Sequence, residues 1–379
     1  MTKLIISKKI VFLCRALSIG GAERQLMHLA VGLQKIGHKV TILTFYKSPD
    51  DYYLENINIV TLEKKSRWDV FSFLKTLTTA IRAEKADVIY PFLCVPNILV
   101  CLLKALRFLH HERIAISFRG SFMKWSDYGY LEWLTAKIEA YVARFADVVI
   151  ANSHAGLIEL KRRGFKTKKT YIVQNGIDTD KFKPDPKSGT AWRTRYGIPL
   201  KIPLVGIIAR LDPMKDHRMF LTMAKTIYDQ NESIFFAIVG RGENAYYEQL
   251  KAFQNQIGLP ADHIYWIDCG RDINYNAFNV VCSTSAYGEG FSNVLCEALS
   301  SGIPCFATNV GDAVLILNDD EKIVNVGDAT DMGEKVLKEL NIPCSKNNMI
   351  MLREKITQQY TIEKMVSRTR NILINENNK

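Results

Sequence analysis

The sequence has no segment that would carry the chain into or across a membrane. Residues 1–3 lead directly into a predicted strand at 9–13, with no secretory signal before it. The most apolar stretch, 88–103, contains Pro91 and Pro96 and is too short to span a bilayer. We therefore expect a cytoplasmic protein, whose 379 residues suffice for two α/β domains with separate cores.

Patterns that would assign other chemistries are missing as well. The eight cysteines form no Cys-x-x-Cys pair and lie mostly in apolar runs, which predicts buried free thiols in a reducing compartment. No Gly-x-Gly-x-x-Gly turn is followed about 20 positions later by an acidic residue, which argues against a dehydrogenase. No DxD-like acidic cluster occupies a suitable loop, so we expect neither a metal nor another cofactor.

Positive charge is concentrated in one half of the chain. Residues 1–186 contain 29 Lys and Arg against 17 Asp and Glu, whereas residues 187–379 contain 21 against 22. A basic half predicts an anionic partner such as nucleic acid, anionic lipid or a phosphorylated acceptor, and solvated lysines without a partner are the alternative. Nucleic acid is the least favoured, because the chain has no RNP-like aromatics, zinc module or clear helix-turn-helix.

Strands and helices alternate along the sequence in two successive blocks. The first half has predicted strands near 9–14, 39–45, 57–62, 86–92, 113–118 and 147–151, and the pattern restarts at 202. It predicts an α/β fold with two doubly wound, Rossmann-like domains facing a deep interdomain cleft at the carboxyl ends of the strands. The predicted domains are 1–186 and 187–345, and a helical segment over 346–379 is expected to pack back across them. Residues 183–190 have the composition of a linker.

The most informative motif places two carboxylates across a predicted loop-to-helix junction. Glu289 and Glu297 lie eight positions apart, and Ser292 is the predicted N-cap of the helix that carries Glu297. Free backbone N–H groups around Phe291, Ser292 and Asn293 would form an anion site. Carboxylates for sugar hydroxyls beside donors for phosphate match the chemistry of a nucleotide sugar.

Three other turns follow predicted strands. Arg210 and Lys215, on either side of a proline, can both face one diphosphate, although either alone could be a solvated surface charge. Gly20 and Gly21 open the first helix and allow a phosphate or sugar to approach the main chain. Gly240 ends another strand and can line the same cleft. The glycine turns could also be plain β–α turns.

In this order, these segments resemble the retaining GT-B glycosyltransferases of family GT4, from about residue 10 to 345. The motifs that carry the resemblance are Gly20-Gly21-Ala22-Glu23-Arg24, Asn175-Gly176-Ile177-Asp178, Ala209-Arg210-Leu211 with Lys215, and Glu289-Gly290-Phe291-Ser292-Asn293-Val294-Leu295-Cys296-Glu297-Ala298. The paired glutamates and the Arg/Lys loop are specific together.

The resemblance implies roles for the matching residues. Arg210 and Lys215 would neutralise the diphosphate of the donor, and Glu289 would contact the transferred sugar, so that these three form the catalytic group. Glu297 would hold the ribose hydroxyls. The other positions implied in donor binding are Gly20, Gly21, Gly240, Arg271, Gly290, Phe291 and Ser292, with the main chain near Arg271 receiving the base. No residue stands out as a covalent nucleophile, which favours front-face attack with retention.

One feature departs from many members of the family, which carry a His at the end of an N-terminal-domain strand. Here Ser117-Phe118-Arg119 resembles a branch with Ser-x-Arg that includes enzymes building lipid-linked oligosaccharides. Arg119 is then a candidate for binding the acceptor phosphate or the donor, and an ion-pair partner is the alternative. An apolar stripe at 99–109, with Lys104 and Arg107 beside it, and aromatic and basic residues near 130–146 predict contact with an anionic membrane once the basic charge of this half is considered. The alternative is that the stripe is a core face, which is the commoner case for such spacing.

The sequence thus predicts a metal-independent, retaining hexosyltransferase. It would move a sugar, from a UDP-sugar by preference, to a glycan or polyprenyl-diphosphate-linked acceptor at the inner face of the cytoplasmic membrane, in polysaccharide, lipopolysaccharide or glycan assembly. A sugar-nucleotide epimerase or a phosphorylase of the same fold is the alternative. No lysine suited to the pyridoxal phosphate of a phosphorylase is identifiable.

Overall fold

A computed structural model describes residues 7–17, 20–47, 57–66, 69–121, 129–270, 272–343 and 345–374 of the chain. The predicted site residue Arg271 lies outside this described part. The chain divides into two compact units, one formed by 1–176 with 362–379 and the other by 177–361. The division falls ten positions before the predicted boundary at 186/187, and the end of the chain belongs to the first unit.

The first unit is built on a seven-stranded sheet in which every neighbouring pair is parallel, in the order β3-β2-β1-β4-β5-β6-β7. The strands are Lys9–Cys14 (β1), Lys39–Thr44 (β2), Asn58–Thr61 (β3), Val88–Pro91 (β4), Arg113–Phe118 (β5), Val148–Ala151 (β6) and Thr170–Ile172 (β7). The central strands are apolar on both sides because helices cover both faces of the sheet.

Six helices pack on this sheet in the described residues: Gly21–Lys35 (α1), Val70–Glu84 (α2), Cys94–Ala105 (α3), Tyr130–Val142 (α4), His154–Arg162 (α5) and, from the end of the chain, Ile362–Ile374 (α13). Two apolar clusters lie on opposite faces of the sheet, one around Phe12 and Leu26 and the other around Leu13 and Leu77. Helix α5, which the sequence pattern did not predict, is capped by the Ser153 hydroxyl accepting the Gly156 N–H.

The second unit repeats the arrangement with six parallel strands in the order β10-β9-β8-β11-β12-β13. They are Leu204–Ile208 (β8), Phe235–Val239 (β9), Ile264–Ile267 (β10), Val280–Ser283 (β11), Cys305–Thr308 (β12) and Ile323–Val324 (β13). Its helices are Pro186–Arg195 (α6), His217–Tyr228 (α7), Asn244–Gln256 (α8), Asn293–Ser300 (α9), Ala313–Leu317 (α10), Ala329–Leu340 (α11) and Lys346–Thr357 (α12).

The prediction of a linker at 183–190 was wrong. Residues from Pro186 onward form α6, in which proline occupies the first turn and Asp185 caps the helix by accepting the Ser188 N–H at 3.1 Å. Gly189 allows α6 to lie against the backbone of Asn276, since a Cβ there would approach the Asn276 carbonyl oxygen to 2.2 Å. The proline and glycine that suggest a linker therefore have other roles: Pro186 starts a helix, and Gly189 allows a close contact with Asn276.

The two C-terminal helices belong to different units. Helix α12 packs on α9 in the second unit, and α13 packs on α1 in the first. Val366 of α13 fits against Gly32 of α1, where a Cβ would lie 2.3 Å from Val366 Cγ2. The helices predicted over 346–375 are thus present, and the last of them completes a core begun by the first residues of the chain.

The described cysteines are all free, and five of the seven are buried, as the sequence predicted. Burial raises the pKa of Cys282, Cys296 and Cys305 above the usual thiol range. Over the described residues, the structure contains no helix with the length and apolar character needed to span a bilayer.

Candidate functional site

Both sheets change direction of winding beside their first strand, between β1 and β4 and between β8 and β11. In doubly wound folds, the loops at the carboxyl ends of the strands on either side of such a point form the ligand site. In the second unit these are the loop 209–216 after β8 and the loop 284–292 after β11. Every predicted catalytic residue lies in one of these two loops.

Hydrogen bonds join the two loops. The Thr284 hydroxyl lies 2.9 Å from the carbonyl oxygen of Lys215 and 3.0 Å from that of Asp216, and the Ala286 N–H donates to the carbonyl of Met214 at 2.9 Å. The Asp216 side chain caps α7 by accepting the Met219 N–H at 3.0 Å. The position of Lys215 is therefore set by backbone contacts on both sides.

The centre of the site is an ion pair between the Lys215 ammonium and the Glu289 carboxylate. The Ser285 hydroxyl donates to Glu289 Oε1 at 3.0 Å. The Lys215 and Glu289 side chains are 20% and 16% exposed, so water screens the pair only in part. Both residues line a small solvent-open cleft, with Ala209, Ser292 and others around them. A cation and an anion are thus held together where a charged ligand can reach both.

Arg210 occupies a more exposed position than Lys215. Its guanidinium donates to Asp212 Oδ2 at 2.7 Å, and its side chain is 68% exposed. The backbone of the same loop is fixed, because the Leu211 N–H donates to the Arg241 carbonyl at 2.7 Å. The structure brings Lys215 and Glu289 into contact, whereas Arg210 points its charge at a surface partner.

Glycines allow the neighbouring loops to come close to these residues. A Cβ on Gly240 would lie 1.9 Å from the Ala209 carbonyl oxygen, so the turn after β9 must lack a side chain there. Gly311, after β12, has φ +66°, and a Cβ on it would lie 2.6 Å from the carbonyl oxygens of Glu289 and Gly290. The sequence reasoning missed Gly311, although its Val-Gly-Asp context after an apolar strand marks a turn.

The rest of the paired-glutamate motif is largely buried. Ser292 is the N-cap of α9, as predicted, with its hydroxyl accepting the Leu295 N–H at 3.5 Å. The Phe291 ring is 5% exposed and packs edge-on against Tyr360 at 5.0 Å, so it contributes to the core. Glu297 is 2% exposed and accepts a hydrogen bond from the Tyr275 hydroxyl at 2.8 Å. Glu297 is not among the residues that line the cleft.

His217, a residue that the sequence reasoning did not single out, lies directly after the loop 209–216, at the start of α7. The ring is fully buried and lies within reach of the Ala209 backbone. Burial, together with the Lys215 charge, lowers the pKa of His217 to about 4, so the ring is neutral at pH 7. Because the His217 ring is neutral, it adds no second positive charge beside the Lys215 ammonium.

In the first unit, predicted site residues gather at the carboxyl edge around Arg119. Its Nη1 donates to Asn175 Oδ1 at 2.8 Å, and its guanidinium lies 4.4 Å from the centre of the Phe92 ring. The Tyr90 hydroxyl lies beside the Arg119 guanidinium, which also interacts with the Glu23 carboxyl. Burial raises the pKa of Glu23, while the charge of Arg119 opposes the shift. These groups place a cation together with hydroxyl, amide and carboxyl oxygens at one edge of the sheet.

The predicted turn at Gly20 and Gly21 lies at the same edge, because α1 follows β1. Gly20 is the extended N-cap of α1, and a Cβ on it would lie 2.1 Å from Glu23 Oε2, so the glutamate folds back over the turn. Asn175, from the predicted Asn-Gly turn, is 5% exposed. Gln25 fixes that turn by exchanging two hydrogen bonds with Gly176, at 3.0 and 2.9 Å.

Two of the predicted acceptor residues lie at the other edge of this sheet. Helix α3 runs from the carboxyl end of β4 to the amino end of β5, which puts Lys104 and Arg107 near the start of β5. The Lys104 ammonium donates to the carbonyl of Glu112 at 2.8 Å, one residue before that strand begins. The apolar stripe of α3 is mostly core, with Val100 and Leu103 at most 1% exposed. Lys104 and Arg107 therefore do not share a site with Arg119.

Family models match both halves of the chain. Residues 19–181 match "Glycosyltransferase Family 4", and residues 189–357 match "Glycosyl transferases group 1". The solved structure of Anabaena HepE in complex with UDP and glucose superposes with a TM-score of 0.81 at 17% identity, over 97% of this chain and 99% of that one. This likeness identifies the fold of the two units as GT-B.

Curated relatives share more sequence identity with this chain but match it over a smaller part of its length. A GDP-mannose-dependent alpha-(1-6)-phosphatidylinositol monomannoside mannosyltransferase of Mycobacterium tuberculosis is 30% identical over 36% of this chain, which spans 37% of that relative's length. The Campylobacter jejuni GalNAc-alpha-(1->4)-GalNAc-alpha-(1->3)-diNAcBac-PP-undecaprenol alpha-1,4-N-acetyl-D-galactosaminyltransferase is 26% identical, over 77% of this chain and 76% of its own length.

Proposed function

This chain belongs to the glycosyltransferases that these two family models describe, and from that premise we propose that it moves a sugar from a nucleotide diphosphate sugar to a lipid-linked or other glycan acceptor. The observation that carries the proposal is the contact between Lys215 and Glu289 at the switch point of the second sheet. The lysine would neutralise the diphosphate of the donor, and the glutamate would accept hydrogen bonds from sugar hydroxyls.

The proposed reaction is a front-face displacement with retention. The bond between the anomeric carbon and the diphosphate oxygen breaks, and its electron pair leaves with the diphosphate. The acceptor hydroxyl attacks from the same face, and its proton passes to the departing phosphate oxygen. Lys215, with Arg210 turned from Asp212 toward the ligand, would stabilise the negative charge on the leaving group. Two cations suffice for this role, so we expect activity to survive EDTA.

The setting of Arg119 supports the proposal that the acceptor carries a phosphate. Its guanidinium is held by Asn175 and Phe92 at the carboxyl edge of the first sheet. A planar guanidinium binds phosphate oxygens bidentately, which suits a polyprenyl-diphosphate-linked sugar. The Campylobacter relative is named for such an acceptor. We place the protein accordingly at the inner face of the cytoplasmic membrane, in polysaccharide, lipopolysaccharide or other glycan assembly.

A ligand panel tests the donor. The mycobacterial relative is named for GDP-mannose, whereas HepE was solved with UDP, and we favour a UDP-sugar. Thermal shifts with UDP, GDP, ADP and their sugars should give one base that raises the melting temperature, because a ligand of the native state stabilises it by mass action. No shift with any nucleotide would contradict a donor site in this chain.

Product analysis tests the reaction. The preferred donor should be incubated with an undecaprenyl-diphosphate-linked sugar, and the anomeric configuration of the product read by NMR. A transferred sugar with the donor's configuration is expected. An epimerised nucleotide sugar without transfer would instead identify an epimerase of the same fold, and inverted configuration would refute the front-face mechanism.

A further inference from the structure

Helix α4 of the first unit has its large apolar residues on the outside. The residues that it buries are Ala136, Glu139, Ala140 and Val142. Its exposed apolar residues are Tyr130 (74%), Leu131 (62%), Trp133 (38%), Ile138 (40%) and Tyr141 (61%). A helix on the surface of a soluble domain has the opposite pattern, with the apolar stripe facing the core. We call these five exposed residues the α4 outer face.

The inner side of α4 is fixed by polar contacts. Asn97 of α3 donates to Glu139 Oε1 at 2.8 Å and to the Ser117 carbonyl at 2.8 Å, and Arg163 lies 3.8 Å from Glu139 Oε2. Burial raises the pKa of Glu139, although these partners act in the opposite direction. Because a buried carboxyl specifies one orientation of the helix, rotation about its axis to bury the α4 outer face would break these bonds.

Two cations lie beside the aromatic rings of the α4 outer face. Tyr130 and Trp133 stack with ring centres 5.6 Å apart. The Lys137 ammonium lies 5.7 Å from the Trp133 ring, and the Arg144 guanidinium lies 3.7 Å from the Tyr141 ring. Tyr and Trp prefer the boundary between headgroups and acyl chains, and Lys and Arg stems can lie along apolar surface with their charges in the headgroup layer.

We propose that the α4 outer face is the surface by which this protein docks on an anionic lipid bilayer. Charge complementarity selects this occupant, because the half of the chain that carries α4 holds the entire excess of Lys and Arg. A second copy of the chain would bring like charges together on an isologous contact. The Tyr130 end of α4 lies at the carboxyl edge of the sheet, as Arg119 does, since α4 connects β5 to β6.

The proposal rests on the proposed function for its meaning, because a docked α4 would hold the Arg119 edge near a lipid-linked acceptor. The sequence-based expectation of membrane contact covered both the α3 stripe and residues near 130–146; the α3 stripe is mostly core, and the α4 outer face belongs to the second of these regions. The docking itself requires no substrate, so it can be tested apart from catalysis.

Flotation tests the docking surface. The wild-type chain should float with vesicles of phosphatidylglycerol and phosphatidylethanolamine, and should not float with phosphatidylcholine or at high salt, which screens the attraction. The double variant L131E/I138E should reduce the bound fraction at least about tenfold, since two aliphatic side chains no longer enter the interface. The matched control is Phe71→Glu on α2, where an 89% exposed aromatic lies outside the α4 outer face and should leave binding unchanged.

Two further measurements keep the result interpretable. The double variant should keep the wild-type thermal shift with nucleotide, which shows that it folds and that the donor site is intact. In W133F, the vesicle-induced blue shift of tryptophan emission should be lost while flotation persists. The proposal is overturned if L131E/I138E floats as the wild type does, or if the wild type ignores anionic vesicles. It is equally overturned if the wild type is a dimer that the double variant converts to monomers.

Discussion

Replacement of Lys215 by Met removes the ammonium and keeps most of the length of the side chain. The change leaves the Glu289 carboxylate, 16% exposed, with the Ser285 hydroxyl and without its charged partner. We expect kcat/KM for the nucleotide sugar to fall about 100-fold, because one preorganised charge on a leaving group supplies ~3 kcal/mol. We also expect the free energy of unfolding to fall by about 1–3 kcal/mol, the cost of leaving a partly buried charge with fewer partners.

The two effects are separable. Initial rates of nucleoside diphosphate release at saturating acceptor give kcat and KM, and urea unfolding at pH 7.5 gives the stability. The loss should fall mainly on kcat, because the leaving group carries its extra charge only as the bond breaks. The matched control is Lys225→Met on α7, which removes an ammonium paired with Asp229 on the surface of the same unit. This variant should change neither kcat nor KM.

A double-mutant cycle with Glu289→Gln shows whether the pair acts as a unit. If it does, K215M/E289Q should be less impaired than the sum of the two single changes, by about 1 kcal/mol or more. The reasoning fails if Lys215→Met retains activity within about threefold of the wild type while Lys225→Met behaves identically, since the lysine would then not stabilise the transition state.

Three other changes test different parts of the site. Gly311→Ala should lower activity about tenfold or more in rate assays, since its methyl group would collide with the Glu289 carbonyl oxygen. Arg119→Lys should raise KM for a lipid-diphosphate acceptor about tenfold while donor hydrolysis is kept, because Lys cannot bind phosphate bidentately. His217 has a folded-state pKa of about 4, below its ordinary 6.5, so its stabilising effect is complete above pH 6.5 and is lost as pH falls toward 4. Urea unfolding at pH 7.5 and 4.5 should show that His217→Leu loses less stability on acidification, by up to about 3 kcal/mol.

Each of these changes has a control within the chain. Gly327 has a positive φ like Gly311, but a Cβ there would meet nothing within 4 Å. Gly327→Ala should therefore lower stability and leave activity unchanged. Arg107→Lys lies at the opposite edge from Arg119 and should leave the acceptor KM unchanged. His110→Leu replaces an exposed histidine ring and is the matched control for His217→Leu. Equal effects in a variant and its control would refute the corresponding assignment.

The sequence predicted the sheets well because their strands are short apolar runs between turns. Strand β8 and the loop after it were predicted with Lys215 in place, since a buried strand followed by a charged turn has few alternatives in a doubly wound fold. The contact between Lys215 and Glu289 joins residues 74 positions apart. It could be expected only because both follow strands that the fold places side by side.

The misses have local physical causes. Composition alone could not distinguish a linker from the capped start of α6, where Pro186 and Gly189 serve a helix and a close contact. The spacing of apolar residues in α3 is the same for a helix that faces lipid and for one that faces the core. In the folded unit most of this stripe packs into the core. The orientation of α4 depends on Asn97 meeting Glu139 across 42 positions, which no periodicity reveals. His217 gave no signal because a lone histidine in a helix is common.

The path of α13 has a consequence for the order in which this protein is made. Met365, Val366 and Leu373 complete the apolar cluster around Phe12, so the unit translated first lacks part of its interior until residue 374 has been synthesised. The second unit needs nothing beyond residue 361. A nascent chain therefore emerges with its amino-terminal sheet complete but with the apolar surface of α1 uncovered, until α13 has been synthesised and can pack on it.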